Sequence, residues 1–282
     1  MTHERFRYLG SDLRDVHVLC SKEERRAMIK YAPQYIDRVI SIEQFRDGLL
    51  RSIEALDLRV NQRDLRALQD ILPLGKSLKY LCVPVAQAES VLPLVRDLHS
   101  LETLCLYGTG KCKIDSSMVF RSIERLVCSG GSVKLDPSNF PKLQHLEIAN
   151  KPTGQLNRLL PRFPSLSTLL MFPVQPELLE VAPRSLEYLR IYNGGVSDLS
   201  AIARFEKLTD FWIQNLPKLT SIKPITGLPA LRDLTIGHCR HIKDIQALAQ
   251  LTSLERLSIF ACGFDKTELR QLFGERLREL AL

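Results

Sequence analysis

Many features that would announce a function are missing from this sequence. No apolar run approaches the roughly 20 residues of a spanning helix, and the opening segment MTHERFRYLGSDLRD has no apolar stretch of the kind a signal peptide needs. No lipidation motif is present. The expectation is therefore a protein without membrane association, cytoplasmic unless exported by a route that needs no signal peptide. Basic residues never form a run of four. The 39 basic and 32 acidic residues give a net charge of +7, which aids approach to an acidic partner. Their scatter argues against a dedicated nucleic-acid face. The seven cysteines are odd in number, with no CxxC pair, and read as reduced thiols.

Catalytic signatures are missing too. There is no GxSxG elbow, GxGxxG loop or P-loop, and no cysteine sits in a protease signature. The pairs Gly130-Gly131 and Gly194-Gly195 follow strand-like segments and read as turns. His238, Cys239 and His241 lie close in sequence, but their spacing matches no common zinc site, and alternation should turn Cys239 inward. No catalytic residue, metal ligand, cofactor or small-molecule substrate is assigned.

What is present is a repeat. Eleven segments share the pattern apolar-x-x-apolar-x-apolar. Their first apolar residues are Ile53, Leu78, Leu101, Ile123, Leu143, Leu166, Leu186, Leu208, Leu231, Leu254 and Leu277, and the steps run from 20 to 25 residues. The second and third apolar positions, such as Leu104 with Leu106 and Leu189 with Ile191, alternate at the period of a strand with one buried face. One such strand cannot bury that face alone. Stacking the next repeat covers it, and the remaining residues of each repeat supply the crossover that parallel strands need.

The period and pattern resemble the leucine-rich-repeat family from Ile53 to Leu282. Three repeats, at residues 189–208, 211–231 and 234–254, look like the short internalin-type bacterial repeat. Each has a second apolar cluster after the strand: Val196, Leu199 and Ile202; Leu219, Ile222 and Ile225; Ile242, Ile245 and Leu248. The resemblance implies an α/β solenoid, curved like a horseshoe. A parallel sheet would line its concave face, with short helices or 3₁₀ turns on the convex face. Two repeats depart from the family by placing Cys239 and Cys262 where asparagine is usual. In the earlier repeats, helical leucine spacing around Leu65–Leu72 and Leu92–Leu98 predicts short convex helices.

Two domains are expected. Residues 52–282 hold the repeats. Residues 1–51 read as an N-terminal cap with degenerate repeats, the alternative being an unrelated small domain. Within the cap, Leu13, Val16 and Val18 fit a strand, and residues 21–33 read as a helix with Ser21 as N-cap, Glu24 completing a capping box and Pro33 ending it. The segment YIDRVISI fits a second strand.

Residues alternating with the inward leucines form three outward columns on the concave face. The middle column runs Asp57, Cys82, Cys105, Val127, Glu147, Leu170, Arg190, Trp212, Thr235 and Ser258. One region stands out: Leu170, Phe172, Tyr188, Arg190, Tyr192 and Trp212 on three successive strands, edged by Asp210, Gln214 and Asp233. Binding hot spots favour tryptophan, tyrosine and arginine with polar surroundings. The expected function is a non-enzymatic protein-binding module, plausible as a bacterial immunity protein, adaptor or effector. The alternatives are the substrate-recognition part of a ligase-type enzyme and, less favoured, a nucleic-acid binder.

Overall fold

A computed structural model describes residues 17–20, 39–42, 52–60, 65–149 and 156–282. The chain divides into two compact units, Met1–Lys142 and Leu143–Leu282.

The first unit contains strands β1 (His17–Cys20), β2 (Val39–Ser41), β3 (Ala55–Arg59), β4 (Tyr80–Pro84), β5 (Thr103–Tyr107) and β7 (Arg125–Ser129). They pair in parallel in the order β2-β1-β3-β4-β5-β7. Stacking in chain order therefore begins only with β3, because β1 lies between β2 and β3. The register at β1 corrects the sequence-based expectation. Val18 pairs with Asp57, an outer-column position, while Leu19 pairs with the inward Leu58 and is fully buried. The stretch Val18-Leu19-Cys20 is apolar on both parities, so alternation alone could not set its phase, and a one-residue slip exchanges the two faces. Leu13, Val16 and the helix expected at 21–33 lie outside the described residues.

Behind the sheet pack helices α1 (Leu65–Ile71) and α2 (Val85–Val95), at the positions the leucine spacing predicts. They bury Leu68 and Ile71, and Val85, Ala88, Val91, Leu92 and Val95. A second, two-stranded parallel sheet, β6 (Lys111–Lys113) with β8 (Ser132–Lys134), was not anticipated. It is served by the turn at Gly130-Gly131. A Cβ on Gly130 would lie 2.1 Å from the Gly108 carbonyl oxygen, so no other residue fits there.

Asn139 is the fully buried polar anchor of this unit. Its amide nitrogen donates to the carbonyls of Asp115 (2.8 Å) and Met118 (2.7 Å), and its oxygen accepts from the Asp136 backbone N–H (2.8 Å). Asn139→Ala removes three part-buried hydrogen bonds to the backbone at once. It should cost about 2 kcal/mol, read as a lower denaturation midpoint at unchanged m-value. An unaltered midpoint would show that the loop reorganises freely.

The second unit contains β9 (His145–Ala149), β10 (Thr168–Phe172), β11 (Tyr188–Tyr192), β12 (Asp210–Gln214), β13 (Asp233–Gly237), β14 (Arg256–Phe260) and β15 (Glu279–Ala281), paired in parallel in chain order. The crossovers are short helices, α3 (Leu156–Leu159), α4 (Pro176–Val181) and α5 (Lys266–Phe273), and 3₁₀ turns at Ser200–Arg204, Lys223–Gly227 and Ile245–Gln250. The three 3₁₀ turns fall in the internalin-like repeats. All nine residues of their second apolar clusters are buried.

Two devices link repeat to repeat. A serine just before the first apolar residue donates to a carbonyl of the previous repeat: Ser122 to Leu101, Ser185 to Leu166 and Ser253 to Leu231 (2.7–2.9 Å). The residue after each strand takes a left-handed conformation at Asn193, Asn215, His238 and Ala261 (φ between 48° and 54°). Asparagine tolerates that region, whereas alanine has no side chain to compensate it. Ala261 is exposed, so Ala261→Gly loses no packing. The net gain should be about 0.5–1 kcal/mol, after the larger chain entropy of glycine is subtracted. A lower melting temperature would contradict this.

None of the seven cysteines forms a disulfide. Cys239 and Cys262 are buried as expected and hydrogen-bond inward: the Cys239 N–H donates to Cys262 Sγ (3.4 Å) and the Cys239 thiol to the Gly237 carbonyl (3.2 Å). Cys128, expected to be buried, is only half-buried. It lies one residue before the end of β7, beside the Gly130 turn.

Candidate functional site

The outer sheet face differs between the units. In the first it is closed. Ala55, Tyr80, Cys82, Cys105 and Val127 are at most 6% exposed and form one cluster, with Tyr107 packed against it. Asp57 is buried too and accepts from Arg59 Nε (3.1 Å), and the Tyr107 hydroxyl donates to the Leu58 carbonyl (2.7 Å). Burial raises the Tyr80 and Tyr107 phenols and the Cys82 thiol well above their ordinary values. The middle column expected here, Asp57 to Val127, is thus not available surface, while Arg59, Pro84, Thr103, Arg125 and Ser129 beside it are half-buried. Cys82 and Cys105 are in-register neighbours, as alternation implied, and both are free thiols.

In the second unit the outer face is open, and all nine residues singled out from the sequence lie on it, Leu170 among them and half-buried. Phe172 is 41% exposed. Tyr188, Arg190, Tyr192, Asp210, Trp212, Gln214 and Asp233 are half-buried. The register sets Tyr188 opposite Asp210 and Asp210 opposite Asp233, Arg190 opposite Trp212, and Tyr192 opposite Gln214. Arg190 lies over the Trp212 ring, its guanidinium carbon 3.9 Å from the ring centroid. Trp212 Nε1 donates to Gln214 Oε1 (3.1 Å). Phe172 and Tyr192 pack ring on ring with centroids 4.9 Å apart. The tryptophan is thus fixed from two sides.

Electrostatics along the first row are uneven. Asp233 is paired with Nε and Nη2 of the Arg256 guanidinium on the next strand. Asp210 accepts from the Thr209 hydroxyl (2.7 Å), and among the described residues no salt bridge reaches it. Burial, reinforced by the Asp233 charge, raises its carboxyl above the usual range, while Thr209 and Arg256 oppose the shift. Burial also raises the Tyr188 phenol, against the pull of Arg190.

The repeat pattern and the in-register parallel strands it generates decide the fold class. The chain is built of leucine-rich repeats. No protein-family profile matches it, and no curated protein matches it by sequence. Similar solved structures include internalin C2 of Listeria monocytogenes (21% identity, 58% of this chain and 74% of that one, TM-score 0.43). Another is internalin InlF of the same species (15% identity, 86% and 94%, TM-score 0.43). A third is TLR13 in complex with ssRNA13 (17% identity, 86% and 34%, TM-score 0.48).

Inspection of the columns missed three members of this leucine-rich-repeat face. Arg256 neutralises Asp233. The Phe260 ring lies over Gly237, where a Cβ would sit 2.3 Å from the ring. His238 meets that ring edge-on at 5.4 Å. A glycine in an otherwise bulky column, followed 23 residues later by a phenylalanine, was the available signal. Among the described residues no group of three or more His, Cys, Asp or Glu could hold a metal ion, and no helix is long and apolar enough to cross a membrane.

Proposed function

We propose that this protein is a non-enzymatic binding module that engages a folded protein partner through the outer face of β10–β14. One observation carries the reading: the only tryptophan of the chain is held upright at the centre of an open face by Arg190 and Gln214. Aromatic residues fixed in this way lose little entropy on docking and gain most when a partner excludes water from them. Aromatic side chains at Phe172, Tyr188, Tyr192 and Phe260 surround it, with carboxylates at the rim. That is the composition of interface centres rather than of solvated strand surface.

Seven cysteines without a disulfide fit a reducing compartment, so we place the module in the cytoplasm, acting as an adaptor, immunity protein or effector. Residues 1–51 we read as the cap of the repeats. The test is a comparative capture. The partner is a protein retained by the wild-type chain and lost from Trp212→Ala, with circular dichroism unchanged. If both baits retain the same proteins, the reading fails.

A further inference from the structure

The net charge of +7 favours an acidic partner for the chain as a whole. The open face has the opposite character. On the outward positions of β9–β14 the charged residues are Glu147, Asp210, Asp233, Arg190 and Arg256. Three carboxylates against two guanidiniums leave this face at −1. Both guanidiniums are engaged within it, Arg190 over Trp212 and Arg256 on Asp233.

One carboxylate at the edge of the patch forms no salt bridge among the described residues. Asp210 is half-buried on β12, two residues before Trp212. Its in-register neighbours are Tyr188 on one side and Asp233 on the other. The Thr209 hydroxyl supplies the hydrogen bond it accepts. A second carboxylate beside it and partial burial both disfavour its charge. Arg256 attracts it from a distance, but Arg256 is paired with Asp233, so a basic side chain of a partner is the direct counter-ion this open face leaves room for.

We infer that Asp210 receives an arginine or lysine side chain of the protein partner, with the Tyr188 and Trp212 rings beside it. The inference rests on the proposed function and gives it a partner chemistry: a protein surface with a basic side chain for Asp210 and apolar side chains for the Phe172–Tyr192 and Phe260 rings. Aromatic rings next to a carboxylate suit a cation twice over, by ring quadrupole and by charge. An acidic partner would instead meet Asp210 and Glu147 with like charge.

The test uses the full chain and a random dodecapeptide library displayed on phage. Peptides selected on the wild-type protein are synthesised and measured against Trp212→Ala, Asp210→Asn and Asp210→Lys. The expected peptides depend on Trp212, carry arginine or lysine, and bind Asp210→Asn about 10-fold or more weakly, with Asp210→Lys weaker still. Replacing the basic residue of the peptide by glutamine should remove the difference between wild type and Asp210→Asn. Asp210→Asn should melt no lower than wild type, since it relieves a disfavoured charge. Trp212-dependent peptides that bind Asp210→Asn as well as wild type overturn the inference and leave the proposed function standing. Selected peptides that carry no basic residue, or that bind without Trp212, overturn the inference, while the comparative capture with Trp212→Ala decides the proposed function separately.

Discussion

Leu189→Ala is expected to lower stability by about 2–5 kcal/mol, the range for truncating a packed core leucine. Leu189 is fully buried, and its strand neighbours in register are Leu169 and Phe211, both also buried. The cavity therefore opens between three consecutive repeats. Repeats are stabilised by their interfaces, so damage at one strand weakens the repeats on both sides of it. The melting temperature should fall by roughly 5–15 °C. Leu189→Met keeps the volume and should cost less than about 1.5 kcal/mol. A melt of the alanine variant unchanged within about 2 °C would show that the inward register of β11 is wrong.

The same alternation that makes this prediction made most of the fold legible. Every segment bearing the repeat pattern from Ile53 onward is a strand, and the three second apolar clusters became the core side of 3₁₀ turns. What stayed hidden had physical causes. β1 is apolar on both faces and gave no phase. β6 and β8 are three residues each, too short for a pattern to show. The Asn139 network depends on backbone groups that side-chain patterning does not represent.

The candidate face was legible in its centre, but Arg256, Phe260 and His238 at its edge and the limits of the open surface were not. Alternation says which residues leave the core side of a sheet; it does not say whether anything covers them. In the first unit the outward residues Ala55, Tyr80, Cys82, Cys105 and Val127 are buried. Their character gave the clue, since small, thiol and apolar residues in two neighbouring columns suit a covered face. The corresponding columns of the second unit carry Arg190, Asp210, Trp212, Gln214 and Asp233, which suit an open one. Pairings along a row were out of reach of column inspection. Asp233 looks like a free rim acid until Arg256 is seen in register with it.

Trp212→Ala should weaken partner binding by about 30- to 1000-fold, the loss of a hot spot of roughly 2–4 kcal/mol. Phe211 and Ile213 are buried on the core side, so strand alternation holds Trp212 on the outer face. There the Arg190 guanidinium covers its ring and Gln214 takes its N–H, which restricts the indole before any partner arrives. Restriction of this kind lowers the entropic cost of association, so truncation should act mainly on the dissociation rate. The fold should tolerate the change. An exposed cation–π contact is worth about 0.5–1 kcal/mol, and the inward layer beneath is untouched. The native residue is also the reporter: as the only tryptophan, its fluorescence follows binding of any partner without a label. Two results would count against the argument in different ways. Wild-type affinity in Trp212→Ala removes the outer face of β10–β14 as the interface. A large fall in melting temperature would instead make Trp212 a packing residue, and the loss of binding would then follow from the loss of the fold.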